Sequence, residues 1–228
     1  EQVSISLLSM ALNDAGCKAI SLTGPQLNIK TVGSHMKSKI SDIDDSILKK
    51  HLNEGKVVIV AGFQGVNEHR DITTLGRGGS DTTAMAIASK LQCPCEIYTD
   101  VDGIYSIDPR LYSKAKKLDE ISYGEMLEMA SLGSGVMHGR AVELGQKYNV
   151  PIYVASSTEE KVGTIIKEAT DMLESSAITG MAIDNDDAMI TLDYVPYSIH
   201  VTANIFNHLA KEDVNIDMIS QTSPRDNS

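Results

Sequence analysis

Residues 75 to 81 read Leu-Gly-Arg-Gly-Gly-Ser-Asp, between a polar, strand-like region and a helical run. Glycines let a backbone turn sharply and approach a ligand closely. Ser80 or Asp81 is placed to cap the helix, whose free N–H groups and positive dipole end suit an anion. Arg77 adds a planar cation able to grip a carboxylate or a phosphate through two parallel hydrogen bonds. On shape alone the segment also reads as a glycine-rich connector carrying a surface arginine. It is not a Walker loop, because no Lys-Ser/Thr step follows the glycines.

A second cluster runs Thr99-Asp-Val-Asp-Gly-Ile-Tyr-Ser-Ile-Asp-Pro-Arg110. Asp100, Asp102, the bend at Gly103, Tyr105 and the turn at Asp108, Pro109 and Arg110 gather just past a strand's C-terminal end. Open α/β sheets place their ligands there. Tyr105, Asp100 and backbone atoms suit an adenine or ribose, with Arg110 turned toward phosphates; a solvated acidic turn is the plainer alternative. The ligand spacing and closing Glu of a calcium loop are missing. His138 and Arg140 sit at a helix start, where a lone histidine is more often structural than catalytic. The six histidines show no metal-ligand spacing, and no Gly-x-Ser-x-Gly nucleophile motif occurs.

Positioning such groups requires a scaffold, and its class is legible. Val3, Leu7, Leu8, Ala11, Leu12 and Ala15 recur at helical spacing before Gly16, and residues 18–22 read as a strand. A short amphipathic helix over 46–53 precedes the strand 57–61, which is apolar on both faces as inside a parallel sheet. Gly62 and Gly65 bracket a tight connection. Ala84, Ile87, Ala88 and Leu91 share a helical face, and 96–100 is another strand. Ser122 and Glu125 form a capping box for a helix through Met126 and Met129. A further helix covers roughly 136–148 and a strand follows at 151–155. Alternating strand and helix is the α/β signature. After a polar linker the rhythm changes to strand (178–183), strand (188–192), helix (201–211) and strand (214–220), an incomplete α+β module. In that helix Val201, Ile205, Phe206 and Leu209 form the apolar face.

Bulk composition narrows the function classes. Twenty basic against 31 acidic residues give a formal charge of −11, which excludes a general nucleic-acid binder working by phosphate neutralisation. With two Phe and no Trp, the apolar 42% must come mainly from aliphatic residues and Met. Cys17, Cys93 and Cys95 suggest neither a disulfide framework nor a zinc site, and reduced thiols are expected. No apolar run approaches the ~18 residues of a membrane span. The chain has no initiator Met or signal peptide, and both ends read as internal to a longer protein.

Taken in order, these stretches resemble the aspartate kinases of the amino-acid kinase family. The resemblance rests on Val58-Ile-Val-Ala-Gly-Phe-Gln-Gly65, Thr73-Thr-Leu-Gly-Arg-Gly-Gly-Ser-Asp-Thr-Thr83 and Glu96-Ile-Tyr-Thr-Asp-Val-Asp-Gly-Ile-Tyr105. It continues through Asp108-Pro-Arg110, Glu125-Met-Leu-Glu-Met129 and Val162-Gly-Thr-Ile-Ile166. Asn215-Ile-Asp-Met-Ile-Ser-Gln221 is similar to a strand of that family's regulatory ACT region. The implied fold is an amino-acid kinase-like α/β sheet flanked by helices, followed by a partial α+β ACT (ferredoxin-like) module. The implied domains are 1–167 for the kinase part, 168–177 for the linker and 178–228 for the ACT part.

The resemblance implies transfer of the γ-phosphoryl of Mg-ATP to the β-carboxylate of L-aspartate, in the aspartate-family amino-acid pathway. Arg77 would hold a substrate carboxylate and Asp81 would orient catalytic groups. Gly78, Gly79 and Ser80 would line the site, and Glu1 would meet the aspartate amino group. Thr99, Asp100, Tyr105 and Arg110 match nucleotide-binding positions. Asn215, Asp217 and Gln221 match an effector or dimer-interface region, implying lysine or threonine control and a cytoplasmic homodimer. A non-catalytic amino-acid-sensing module, another amino-acid kinase and a homoserine dehydrogenase fusion are the alternatives.

Three departures stand out. The family's Lys-Phe/Tyr-Gly-Gly strand and loop is absent, so residues 1–228 alone are expected to be nearly inactive. Gly135 replaces the lysine of a Gly-Ala/Ser-Lys-Val step. Val195-Pro-Tyr-Ser-Ile-His200 replaces the Asp-x-Pro-Gly turn that presents backbone to an effector.

Overall fold

The computed structural model describes residues 1–169, 178–183, 188–196, 198–212, 214, 216 and 219–220. The chain forms two compact units, Glu1–Asp184 and Asn185–Ser228.

The first unit opens with α1 (Gln2–Asp14), β1 (Ala19–Leu22), β2 (Lys30–Val32), β3 (Lys39–Asp42), α2 (Asp45–Asn53) and β4 (Val57–Val60). It continues with β5 (Gln64–Val66), β6 (Ile72–Thr74), α3 (Gly79–Leu91), β7 (Cys95–Thr99), β8 (Glu120–Ser122) and α4 (Tyr123–Ser131). Then come α5 (Gly139–Tyr148), β9 (Ile152–Ser156) and β10 (Thr164–Lys167). The strands form a parallel β1-β4 pair and two four-stranded sheets, ordered β7-β9-β10-β8 and β3-β2-β5-β6. Pairing is parallel in β7/β9 and β10/β8 and antiparallel in β9/β10. The α/β class read from the sequence is the class the chain has.

Local chemistry explains the best-defined ends. The Asp44 carboxylate accepts from Ser46 N at 3.0 Å and starts α2. The expected capping box is present: Ser122 Oγ accepts from Glu125 N at 3.2 Å, while Ser122 N donates to Glu125 Oε2 at 3.0 Å. Helix α5 starts at Gly139 rather than 136, because Gly133, Ser134 and Gly135 are weak helix formers and His138 is still extended. The short strands β2, β3, β5, β8 and β10 carry no sequence signal, since three or four residues are too few for a period to show.

Helix α3 connects the two apolar cores. Met85 and Ala88 join the cluster of Ile104, Ile121, Tyr123, Met126, Val142, Ile152, Val154 and Ile166. Ala86 joins Leu22, Leu27, Ile29, Ile43 and Leu48. The single face expected at Ala84, Ile87, Ala88 and Leu91 is therefore incomplete: Thr82, Thr83, Met85, Ala86, Ala88 and Ser89 are all buried. Small residues permit packing on most sides, and the buried hydroxyls are satisfied within the helix. Thr83 Oγ1 donates to Gly79 O at 2.8 Å and Ser89 Oγ to Met85 O at 2.7 Å. Complete burial of Met85 alone stabilises by about 1.5–3 kcal/mol.

Beyond β10, residues 178–183 carry no strand, contrary to expectation. A strand needs a hydrogen-bonded neighbour along its length, and here Met181 N instead donates to Ser106 O at 2.7 Å. Thr179 Oγ1 donates to the Glu125 carboxylate. In the second unit α6 (Ile199–Lys211) forms the expected helix, while 188–192 is likewise not a strand. Most of the strand expected over 214–220, with Asn215, Asp217 and Gln221, lies outside the described residues.

Candidate active site

Only residues 92–94 separate α3 from β7, so the two run in opposite directions. The N-terminus of α3 and the C-terminus of β7 therefore share one edge of the layer, where α/β folds gather ligand groups. Both sequence clusters lie on that edge, since one precedes α3 and the other follows β7.

The glycine cluster is built from left-handed turns. Gly76 has φ +78° and Gly78, the N-cap of α3, has φ +68°. Neither Ser80 nor Asp81 caps the helix: it begins at Gly79, so both fall in its first turn, and no side chain bonds the helix start. Gly79 N already donates to Gly76 O at 3.0 Å, and the Ser80 and Asp81 N–H groups behind it are available to an anion. Arg77, immediately before the N-cap, is exposed and makes no ion pair among the described residues. Ser80 Oγ donates to Glu1 Oε1 at 3.2 Å, bringing together two site residues 79 positions apart. Glu1, Gly62, Ser80 and Thr83 line one cleft of roughly 400 Å³ with Val58, Val60 and Ala84.

Three further residues belong to this site and lacked a clear sequence signal. Phe63 adopts φ +68°, a sparsely populated conformation for a bulky residue. Its N–H donates to Thr83 Oγ1 at 3.1 Å and its carbonyl accepts from Leu75 N at 3.0 Å. His138, expected to be structural, packs against Gly78, and its buried Nδ1 has no partner among the described residues. Arg140 donates from Nη1 to Leu75 O at 2.7 Å and from Nη2 to Ser38 O at 3.2 Å. The only advance hint was the proximity of His138 and Arg140 at a helix start. Burial pushes the Asp81 carboxyl above its usual range, and the neighbouring His138 partly opposes this.

The second cluster is an internally bonded hairpin. Ile104 N donates to Thr164 Oγ1 at 2.9 Å, and that hydroxyl donates to Leu118 O at 2.6 Å. Thr99 Oγ1 donates to Asp100 Oδ1 at 2.9 Å, and Tyr105 Oη to Asp102 Oδ1 at 3.0 Å. Burial tends to raise the Asp102 carboxyl, but the Tyr105 hydroxyl, Lys117 and Lys161 together hold it below its usual range. Arg110, expected to point toward phosphates, forks onto Asp108, with Nη2 to Oδ2 at 2.7 Å. Among the described residues no group of three His, Cys, Asp or Glu side chains is placed to hold a metal ion.

The model of the amino acid kinase family matches residues 2–156. The chain belongs to the amino acid kinase family. Within that family it is 49% identical over 227 residues to Aspartokinase 2 of Bacillus subtilis (strain 168), covering 99% of this chain and 56% of that protein. The chain thus spans about half the length of the curated relatives it matches. Among solved structures, E. coli aspartokinase III in complex with aspartate and ADP (R-state) superposes with a TM-score of 0.78 at 28% identity. That match covers 96% of this chain and 50% of the other. The same enzyme in complex with lysine and aspartate (T-state) gives a TM-score of 0.74 at 28% identity, with the same coverage.

Proposed function

We propose that the protein to which this chain belongs is an aspartate kinase, transferring the γ-phosphoryl group of ATP to the β-carboxylate of L-aspartate. The observation that carries this is the pairing of Glu1 with Ser80 in the first turn of α3, three residues after Arg77 in the chain. A carboxylate held at a helix N-terminus that an arginine immediately precedes is complementary to a zwitterion. Glu1 takes the α-ammonium group, and Arg77 with the first-turn N–H groups takes a carboxylate. Likeness to Aspartokinase 2 supports the choice of substrate.

The chemistry asks little covalent work of the protein. A carboxylate oxygen attacks phosphorus, the bond to ADP breaks, and an acyl phosphate forms; the nucleophile carries no proton, so no general base is needed. Catalysis then rests on alignment and charge stabilisation. Arg77, Ser80 and Glu1 orient the amino acid, and Asp81 orients groups within the site. Thr99, Asp100 and Tyr105 hold the nucleoside, and Arg110 leaves Asp108 for the phosphates when ATP arrives. Magnesium enters as part of the Mg-ATP substrate, carried mainly on phosphate oxygens.

The remaining assignments belong to the same reading. Residues 1–167 are the kinase part, 168–177 the linker and 178–228 a partial ACT module. That module would pair chains into a homodimer and, through Asn215, Asp217 and Gln221, sense lysine or threonine. A cytoplasmic location fits a chain in which no described helix is long and apolar enough to cross a membrane.

The test is an assay of the full-length protein with aspartate, glutamate and uridylate as acceptors for ATP. Phosphorylation of aspartate alone is expected. A preference for either other acceptor would overturn the assignment.

A further inference from the structure

We infer that Arg140 is a positioning residue for the amino-acid half of the site, holding the glycine loop in its binding shape from behind. The inference rests on the aspartate kinase reading. Residues 76–79 include three glycines, two with φ near +70 to +80°, and glycine gives up more conformational freedom on ordering than any other residue. A loop of this composition keeps one shape only when its flanks are held.

Arg140 supplies that restraint. Its guanidinium donates to the carbonyl of Leu75, the residue directly before Gly76, at 2.7 Å. Its second arm donates to the carbonyl of Ser38 at 3.2 Å, and Ser38 N donates to Thr74 O at 3.2 Å. The start of α5, the entry to the glycine loop and the chain before β3 are thereby closed into one ring. Leu75 and Ser38 are both buried. Arg140 makes no salt bridge among the described residues, so its charge is directed to carbonyls alone. Met36 reinforces the same contact: its carbonyl would lie 2.5 Å from a side chain built on Gly76. The planar fork can bond two acceptors at once in a fixed geometry, which an ammonium group cannot reproduce.

Among the described residues Arg140 bonds only the Leu75 and Ser38 carbonyls and makes no hydrogen bond to Arg77, Ser80, Thr99, Asp100 or residues 103–118. Its loss should therefore act on the amino-acid substrate and spare the nucleotide. The experiment uses the full-length protein with Arg140→Met and Arg140→Lys. It combines steady-state kinetics in aspartate and in Mg-ATP with amide hydrogen exchange over residues 75–81. Arg140→Met is expected to raise KM for aspartate about tenfold, the loss of a charge-assisted hydrogen bond, with KM for ATP within about twofold. Arg140→Lys should recover part of the loss through one carbonyl. An unchanged KM for aspartate, or equal rises in both KM values, would overturn the inference. If Arg140→Met does not fold, a raised aspartate KM in Arg140→Lys sustains it and a wild-type value sinks it. If the wild-type protein does not use aspartate, the kinase reading fails separately. Exchange over 75–81 then decides: faster in either variant supports the role of Arg140, and unchanged rates refute it.

Discussion

The imidazole of His138 occupies the space that a side chain at Gly78 would need: a Cβ built there would lie 2.2 Å from His138 Cγ. Gly78 also sits at φ +68°. Gly78→Ala is thus opposed twice, by contact and by backbone conformation. It should destabilise the protein by about 1–3 kcal/mol in denaturant unfolding. Because His138 Cβ alone would lie 2.3 Å from the added atom, adding His138→Gly rather than His138→Ala should remove the collision, leaving a backbone cost of about 1 kcal/mol. If Gly78→Ala is neutral, the loop has another accessible shape.

Arg77 is exposed and carries no ion pair among the described residues, so its removal should harm binding without harming folding. In isothermal titration of the full-length protein, Arg77→Ala should weaken aspartate by about 100-fold, on the order of two lost charge-assisted hydrogen bonds. Mg-ATP affinity should stay within about threefold. Equal aspartate binding by both proteins would make Arg77 structural or phosphate-directed.

Asp81 gives a pH signature. Its folded-state pKa is raised by burial above the ordinary 3.8. As pH rises past that value the unfolded chain releases its proton first. The native state is therefore penalised from there upward, and the penalty persists at neutral pH. Asp81→Asn should raise Tm at pH 7, lose that advantage as pH falls below 3.8, and lower kcat. A variant that melts lower at pH 7 would contradict the burial effect.

Thr164 is fully buried and joins Ile104 N to Leu118 O through one hydroxyl. Thr164→Val keeps the shape and leaves both backbone groups unpaired, a loss of about 2–4 kcal/mol in equilibrium unfolding. The hairpin carrying Tyr105 and Arg110 should loosen, and nucleotide affinity should fall with it. A nearly unchanged unfolding midpoint would show that other groups satisfy those atoms.

Gly135 stands where the sequence resemblance implies a lysine, and a Cβ there would meet nothing within 4 Å. Gly135→Lys should therefore fold normally and tighten Mg-ATP by about three- to tenfold at low salt, the gain shrinking as salt rises. No change in Kd would mean that the nucleotide phosphates lie out of its reach.

What was legible in the sequence was what local rules control. The 3.6-residue period gave α1, α2 and α6. Apolar runs marked β4 and β9, although β4 is only half-buried and pairs with β1 alone, and Ser122 with Glu125 marked the start of α4. The two chemical clusters were likewise visible, because glycines, an arginine and carboxylates at those spacings have few uses. Tertiary structure alone decided the rest. Strands of three residues, such as β5 and β8, exist only through their partners. The Glu1–Ser80 contact spans 79 positions, and the bonds from Arg140 span 65 and 102. No periodicity or propensity acts over such separations; only the packing of α3 and α5 onto the sheets brings these residues together. The sequence by itself thus determined which groups are candidates for the chemistry, because residue type and spacing are local, and the fold decided which residues hold them in place.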